Sequence, residues 1–148
     1  IEVAHDLPGV GANLAEHPNI INEYELAEDL GLTRHLRLDR AALATARWFA
    51  GGTGPFAYTG TCANVFARSL PGLDRPDVQM MCLPLSGSAG PWLLRRELPR
   101  ISVRTGFLHP ASRGRVSLRS PDPRDPPRIV TNMLVEPGDL AGMVRALE

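Results

Sequence analysis

Apolar and polar residues alternate in short runs along most of this chain, and this pattern predicts a protein built mainly of β-strands. Alternation is clearest over residues 100–109 and 114–120, and in the latter Val116 and Leu118 are predicted to point inward. Residues 77–83 are apolar on both faces, so they are predicted to form an interior strand of a sheet. Shorter runs predict further strands over residues 19–26, 63–69 and 129–134.

Two segments have the spacing of α-helices. Residues 39–50 are rich in alanine; Asp39 is expected to cap their start, and Gly51-Gly52 to end the helix. A second helix is predicted from Asp139 onward, because its apolar residues recur at i, i+3, i+4 and i+7. A short helical turn is also predicted near residues 92–97.

The order of these elements predicts the fold class. About six strands and two helices follow one another without the regular alternation that β-α-β units require. We therefore expect an α+β fold, a mostly antiparallel β-sheet with helices packed on one face.

Composition narrows the functional classes. The chain has 148 residues and no net charge, which argues against nucleic acid or an anionic membrane as the main partner. Its two cysteines, Cys62 and Cys82, form neither a disulfide framework nor a zinc motif and are interpreted as small buried hydrophobic residues. The four histidines lack metal-ligand spacing, so no metal site is predicted. A cytoplasmic location fits this composition best.

The glycines do not form a convincing dinucleotide fingerprint. Gly52-x-Gly54-x-x-Ala57 follows a predicted helix and contains Pro55, whereas the fingerprint follows a strand and opens a helix. From the residues alone, the chain is an α+β domain of unassigned function.

Several motifs together are more specific. Residues 6–18 read DLPGVGANLAEHP and resemble a signature of the glucose–methanol–choline (GMC) oxidoreductases, with Glu16 where Asp is usual. Three further stretches resemble motifs of the same family in the same order: residues 54–69, 76–79 (PDVQ), and 112–134 beginning SRGRVSLRSPDP. The choline dehydrogenase-like resemblance spans nearly the whole chain.

The resemblance implies a fragment of a longer FAD-dependent alcohol oxidoreductase. Residues 1–18 would be the joint to an absent flavin domain, and residues 19–148 a C-terminally truncated substrate-binding domain. In this family a histidine base assists hydride transfer from the alcohol to the flavin. Neither that histidine nor the Rossmann glycine motif matches this chain, so no catalytic residue is assigned. We expect the fragment alone to be inactive and to bind no FAD.

The resemblance also indicates candidate site residues. Cys62 falls where the family has a glutamate, so the substrate of the parent protein is expected to be an uncharged alcohol rather than choline. Met81 on the neighbouring strand is a weaker pocket candidate that is as readily explained as core. Asn13 and His17 would lie on the flavin side of the joint; the equally weighted alternative is that Asn13 caps a turn and His17 packs before Pro18.

A different class of function stays open. The chain is also compatible with a stand-alone small-ligand-binding or interaction module without redox activity. If it is a fragment, we expect the face that would meet the flavin domain to be exposed and to favour self-association.

Overall fold

The computed structural model of the chain describes residues 4–28, 31–57, 60–85 and 99–148. Six strands lie in this part of the chain: β1 (Asn19–Glu25), β2 (Ala63–Ala67), β3 (Val78–Leu83), β4 (Arg100–Phe107), β5 (Arg115–Ser117) and β6 (Arg128–Val130). It also contains helices α1 (Leu38–Gly51) and α2 (Pro137–Leu147) and a 3₁₀ turn, Thr33–His35. The helical turn predicted near residues 92–97 lies outside the described residues.

The strands form two sheets. Four of them are arranged in the order β1-β4-β3-β2, and β2 and β3 run antiparallel with Ala63 opposite Cys82. Strands β5 and β6 form a separate antiparallel pair in which Arg115 lies opposite Val130. The predicted α+β class with antiparallel sheet is confirmed. The prediction that residues 77–83 form an interior strand is also confirmed, because β3 has a partner on each side.

The described residues fall into two compact units. The first unit comprises those within Ile1–Asn19, Arg68–Asp77 and Gly106–Glu148, and the second those within Ile20–Ala67 and Val78–Thr105. The second unit contains α1 and most of the four-stranded sheet, whereas the first contains the β5–β6 pair and α2.

The core of the first unit lies under α2. Phe107, Met143 and Ala146 are all buried. Gly142 allows this packing, since a Cβ on it would lie 2.7 Å from two ring carbons of Phe107. Of the apolar residues whose spacing predicts α2, Met143 is buried, whereas Leu140, Val144 and Leu147 are exposed, so the face that the helix buries is formed instead by Asp139, Gly142, Met143 and Ala146.

The ends of the helices differ from the prediction in detail. Helix α1 begins at Leu38, and Asp39 lies in its first turn, paired with Arg37 at 3.2 Å, so the prediction that Asp39 caps the helix is wrong. The predicted end is confirmed: Gly52 has a φ of 63° and its N–H donates to the carbonyl of Trp48. Helix α2 begins two residues before Asp139, because Pro137 is well suited to the first turn.

Strand β5 is shorter than predicted. It ends at Ser117, and Leu118 is 85% exposed, so the prediction that Leu118 points inward is wrong. Successive side chains point to opposite faces only while a strand continues. Strand β5 stops one residue before Leu118, so the alternation does not extend to it. No helix among the described residues is long and apolar enough to cross a membrane.

Candidate functional site

The glycine-rich stretch near the start of the chain is attached to the region around β5. Within the stretch, the N–H of Val10 donates to Leu7 and that of Ala12 to Gly9. Leu14 and Gly114 exchange two backbone hydrogen bonds, of 3.0 and 2.7 Å. The motif of residues 6–18 and the motif that begins at Ser112 are therefore joined by backbone hydrogen bonds.

Two glycines make this contact possible. Gly11 has a φ of 76°, and a Cβ on it would overlap the carbonyl oxygen of Val116, whose N–H donates to Gly11 at 2.7 Å. A Cβ on Gly114 would overlap the carbonyl oxygen of Val130. Both positions need glycine because another backbone segment occupies the space of a side chain.

The same hydrogen bonds bear on cofactor binding. A phosphate cradle requires a series of backbone N–H groups that point at the ligand. The N–H groups of Val10, Ala12 and Leu14 are instead bonded within the protein. These three N–H groups are therefore not available to the pyrophosphate of FAD.

Asn13 and His17 both lie on the surface of this stretch. Asn13 is exposed and has a φ of 59°, a conformation that asparagine tolerates better than most residues. The side chain of His17 is exposed, its N–H donates to Glu16, and its carbonyl accepts from Asn19. A role for either residue at a flavin stays a prediction.

A groove of about 490 Å³ runs between the stretch and β5. It is lined by residues 8, 10–12, 115–118 and 127, most of them apolar. Val10 and Leu118 are 76% and 85% exposed. The sequence pattern did not indicate this groove, because its two walls come from distant parts of the chain.

A buried carboxylate holds the SRG motif, residues 112–114. Asp139 in the first turn of α2 accepts hydrogen bonds from the N–H groups of Ala111 and Ser112, both at 2.7 Å, and is only 3% exposed. The hydroxyl of Ser112 in turn accepts the N–H of Glu136. Burial raises the pKa of Asp139, but the hydrogen bonds from Ser112 and Ala111 and the charge of Arg113 together hold it below its ordinary value.

A second buried carboxylate holds the motifs at residues 66–69 and 76–79. Asp77 accepts the N–H of Ser69 at 2.7 Å and its hydroxyl at 2.6 Å. Arg145 of α2 donates to the same hydroxyl oxygen at 3.4 Å. Burial raises the pKa of Asp77, whereas the Ser69 hydrogen bonds and the charge of Arg145 lower it, and the net shift is downward. These motif residues hold the fold together.

Cys62 and Met81 are brought to neighbouring positions in the second unit. Cys62 immediately precedes β2, and Met81 on β3 lies opposite Asn64. Met81 is half-buried, whereas Cys62 is exposed, so the interpretation of Cys62 as a buried hydrophobic residue is wrong. Its role as a substrate contact, like that of Met81, stays a prediction.

A pocket lined by arginines lies beside α1. Its volume is about 330 Å³, and its lining residues are Arg34, His35, Arg40, Leu43, Ala44, Arg47 and Pro55. Arg40, Leu43, Ala44 and Arg47 share one helix face because they are three or four residues apart. Among the residues that the structure describes, the lining contains no carboxylate, so its field favours an anion. The spacing of Arg40 and Arg47 was a sequence signal that could have indicated this pocket.

Comparison with known proteins identifies relatives over nearly the whole chain. Residues 110–148 match a family model described as GMC oxidoreductase. An oxygen-dependent choline dehydrogenase of Pseudomonas fluorescens (strain SBW25) is 34% identical over 143 residues, which are 94% of this chain and 24% of that protein. One from Rhizobium etli is 36% identical over 141 residues, which are 94% of this chain and 25% of that protein.

The fold is shared with solved structures. A formate oxidase from Aspergillus oryzae, studied for the effect of a mutation on its FAD modification, superposes over 93% of this chain and 29% of its own, with a TM-score of 0.78 and 18% identity. The present chain spans about a quarter of the length of the curated relatives that it matches. The family-model match and the similarity to choline dehydrogenases along almost its entire length support the assignment of this chain to the GMC oxidoreductases.

Proposed function

We propose that this chain is the substrate-binding part of an FAD-dependent alcohol oxidoreductase, in which hydride passes from an alcohol to the flavin. The observation that supports this most directly is its 34% identity to an oxygen-dependent choline dehydrogenase over 143 residues. The FAD would be held by the remaining three quarters of such a protein, which is consistent with the N–H groups of Val10, Ala12 and Leu14 being bonded within this chain. The chain by itself contributes the wall of the substrate pocket and no catalytic residue.

The pocket wall would carry Cys62 and Met81. A thiol and a thioether offer no negative charge to a quaternary ammonium group. In the family resemblance Cys62 takes the place of an acidic side chain, and it is exposed. The parent enzyme would therefore prefer an uncharged primary alcohol to choline.

The joint to the flavin domain would lie at the apolar groove between the glycine-rich stretch and β5. Val10 and Leu118 are large apolar side chains with most of their surface exposed, and exposed apolar patches commonly mark contact surfaces. Asn13 and His17 lie on the same stretch and would face the flavin side. In this proposal residues 1–18 form the joint and residues 19–148 form the substrate-binding domain.

Steady-state kinetics of the full-length parent protein test the proposal. We expect a flavin absorption spectrum in the purified parent and a higher kcat/KM for uncharged primary alcohols than for choline. Cys62→Glu should raise kcat/KM for choline about fivefold or more relative to the alcohols, because one close ion pair contributes roughly 1 kcal/mol or more. Cys62→Gln, which is similar in size but uncharged, is the matched control and should not raise it.

The possible outcomes separate the two levels of the proposal. A parent protein that contains no flavin would overturn the oxidoreductase assignment itself. A flavoprotein that strongly prefers choline would overturn only the substrate class inferred from Cys62. The isolated chain mixed with FAD should show no shift in the flavin spectrum, and a stoichiometric shift would contradict the assignment of FAD to the rest of the protein.

A second candidate function rests on the arginine-lined pocket beside α1. We propose that this pocket binds a small anion that carries a carboxylate or phosphate group, as a ligand-binding module without redox activity would. Arginine guanidinium groups form paired hydrogen bonds with such anions. The pocket volume of about 330 Å³ is within the range of small-molecule sites.

Titration with inorganic phosphate and with citrate tests this candidate. We expect calorimetric binding to the chain that weakens with added salt and falls at least tenfold in Arg40→Gln and in Arg47→Gln. Arg128→Gln, an exposed arginine on β6 outside the pocket, is the control and should bind as the unmodified chain does. Equal loss in all three variants, or no binding at low salt, would contradict an anion site at α1.

A further inference from the structure

Cys62, just before β2, and Cys82 on β3 lie next to each other. The N–H of Cys62 donates to the carbonyl of Cys82 at 2.9 Å, although the residue opposite Cys82 in the ladder is Ala63. Cys62, which immediately precedes β2, and Ala63 thus both lie beside Cys82. This arrangement brings the Cys62 side chain to its neighbour, and its Sγ lies 3.2 Å from the Cys82 carbonyl oxygen.

The spacing suits a disulfide. Residues that face each other across antiparallel strands have Cα atoms about 4.5–5.5 Å apart, which is within the range that disulfides span, and Cys62 is next to the residue that faces Cys82 and bonds to the Cys82 carbonyl. Both cysteines are free thiols. Burial raises the pKa of the Cys82 thiol, and the hydrogen bond and charge of Cys62 raise it further, so the two side chains interact. Closing the bond therefore needs a side-chain rotation and no change of strand register.

We propose that Cys62 and Cys82 form a redox-active dithiol that a hydroperoxide oxidises to an intramolecular disulfide. Hydrogen peroxide oxidises the first thiolate to a sulfenic acid and leaves as water. The second thiolate then attacks that sulfur, and a second water is released. In sum, two thiols lose two electrons and two protons, and one peroxide becomes two waters. The proposal does not depend on the function proposed above.

Exposure decides which thiol reacts first. Cys62 is exposed and Cys82 is half-buried, so the peroxide reaches Cys62 first and Cys82 resolves the sulfenic acid. The attacking form is the thiolate, and the raised pKa of Cys82 keeps this thiol protonated to higher pH than an ordinary cysteine. Both steps use a thiolate, so disulfide formation should speed up as the pH rises.

Mass spectrometry of the purified chain tests the pair directly. After reduction and removal of the reductant, treatment with hydrogen peroxide should lower the intact mass by two hydrogens, remove both free thiols together, and leave the chain monomeric. Trypsin cleaves after Arg68, which lies between the two cysteines in sequence, so the oxidised chain should yield two peptides joined through sulfur. Dithiothreitol should restore both thiols.

Single-cysteine variants supply the control. Cys82→Ser should accumulate a sulfenic acid on Cys62 that dimedone traps, and Cys62→Ser should react with peroxide at least tenfold more slowly. The mass measurement uses the unmodified chain, so it still tests the proposal if a variant fails to fold. Gain of oxygen without loss of both thiols, disulfides between chains only, or closure at a rate independent of pH would each overturn the proposal.

Discussion

Replacing Gly11 with alanine is expected to lower the free energy of unfolding by ~3 kcal/mol or more. Alanine is unfavourable by about 1–2 kcal/mol at a positive φ such as the 76° of Gly11. Its Cβ would also lie 3.1 Å from the carbonyl carbon of Val116 and overlap that group's oxygen. The hydrogen bond from the Val116 N–H to Gly11 would then be lost. Urea denaturation followed by circular dichroism measures the difference.

Gly9 provides a matched control within the same stretch. A Cβ on Gly9 would meet no atom within 4 Å, so Gly9→Ala is expected to change stability by ~0.5 kcal/mol or less. A variant at Gly11 that is too unstable to purify would be recognised by loss of soluble protein beside a normal Gly9 variant. Equal stability of the two variants would show that the stretch does not pack closely on Val116.

Replacing Asp139 with alanine is expected to cost ~2–4 kcal/mol. The carboxylate is 3% exposed and accepts the N–H groups of Ala111 and Ser112, the latter in a buried residue. Removing the acceptor leaves both donors without their charged partner. Asp139→Asn should recover part of the loss, since its oxygen accepts one hydrogen bond but its NH₂ group is itself a donor. Urea denaturation at neutral pH measures both.

The pH dependence of stability gives a second readout for Asp139. Its pKa in the folded protein is lower than the ordinary value of 3.8, so folding favours the charged form. That contribution is fully present above the ordinary pKa and is lost as the pH falls through the lowered one. The unmodified chain should therefore lose stability in this acidic window more steeply than Asp139→Ala. Part of the slope will persist, because the pKa of Asp77 is also lowered.

Asp39 is the control for a carboxylate in the first turn of a helix. It lies in the first turn of α1 as Asp139 does in α2, but it is exposed and forms an ion pair with the nearby Arg37. Exposed ion pairs contribute little to stability, so Asp39→Ala should leave the denaturation midpoint almost unchanged. A comparable loss in both variants would indicate a helix-terminus effect rather than the hydrogen bonds to the SRG motif.

Much of the secondary structure followed from sequence patterns, and the deviations have local causes. Strand β3 was predicted as interior because it is apolar on both faces, and the four-stranded sheet places it between two neighbours. The predictions for Asp39 and Leu118 were wrong because a helix start and a strand end depend on where backbone hydrogen bonding begins and stops. Residue types near an end do not determine that position.

The candidate site was less predictable. The motifs identified the family, yet several motif residues proved to hold the fold, as Asp77 does through Ser69. The two cysteines lie next to each other, because the N–H of Cys62, just before β2, bonds to the carbonyl of Cys82. A pairing register of this kind involves residues far apart in sequence, so no local pattern encodes it.

The sequence by itself determined the α+β class, the approximate positions of the strands and helices, and the family that the chain resembles. These depend on the order of residue types along the chain, which is local information. Only the tertiary structure decided why Gly11 and Gly114 are glycines, what Asp139 binds, and that Cys62 meets Cys82. The physical reason is that each depends on the close approach of segments far apart in sequence, where space and hydrogen-bond partners are set by packing.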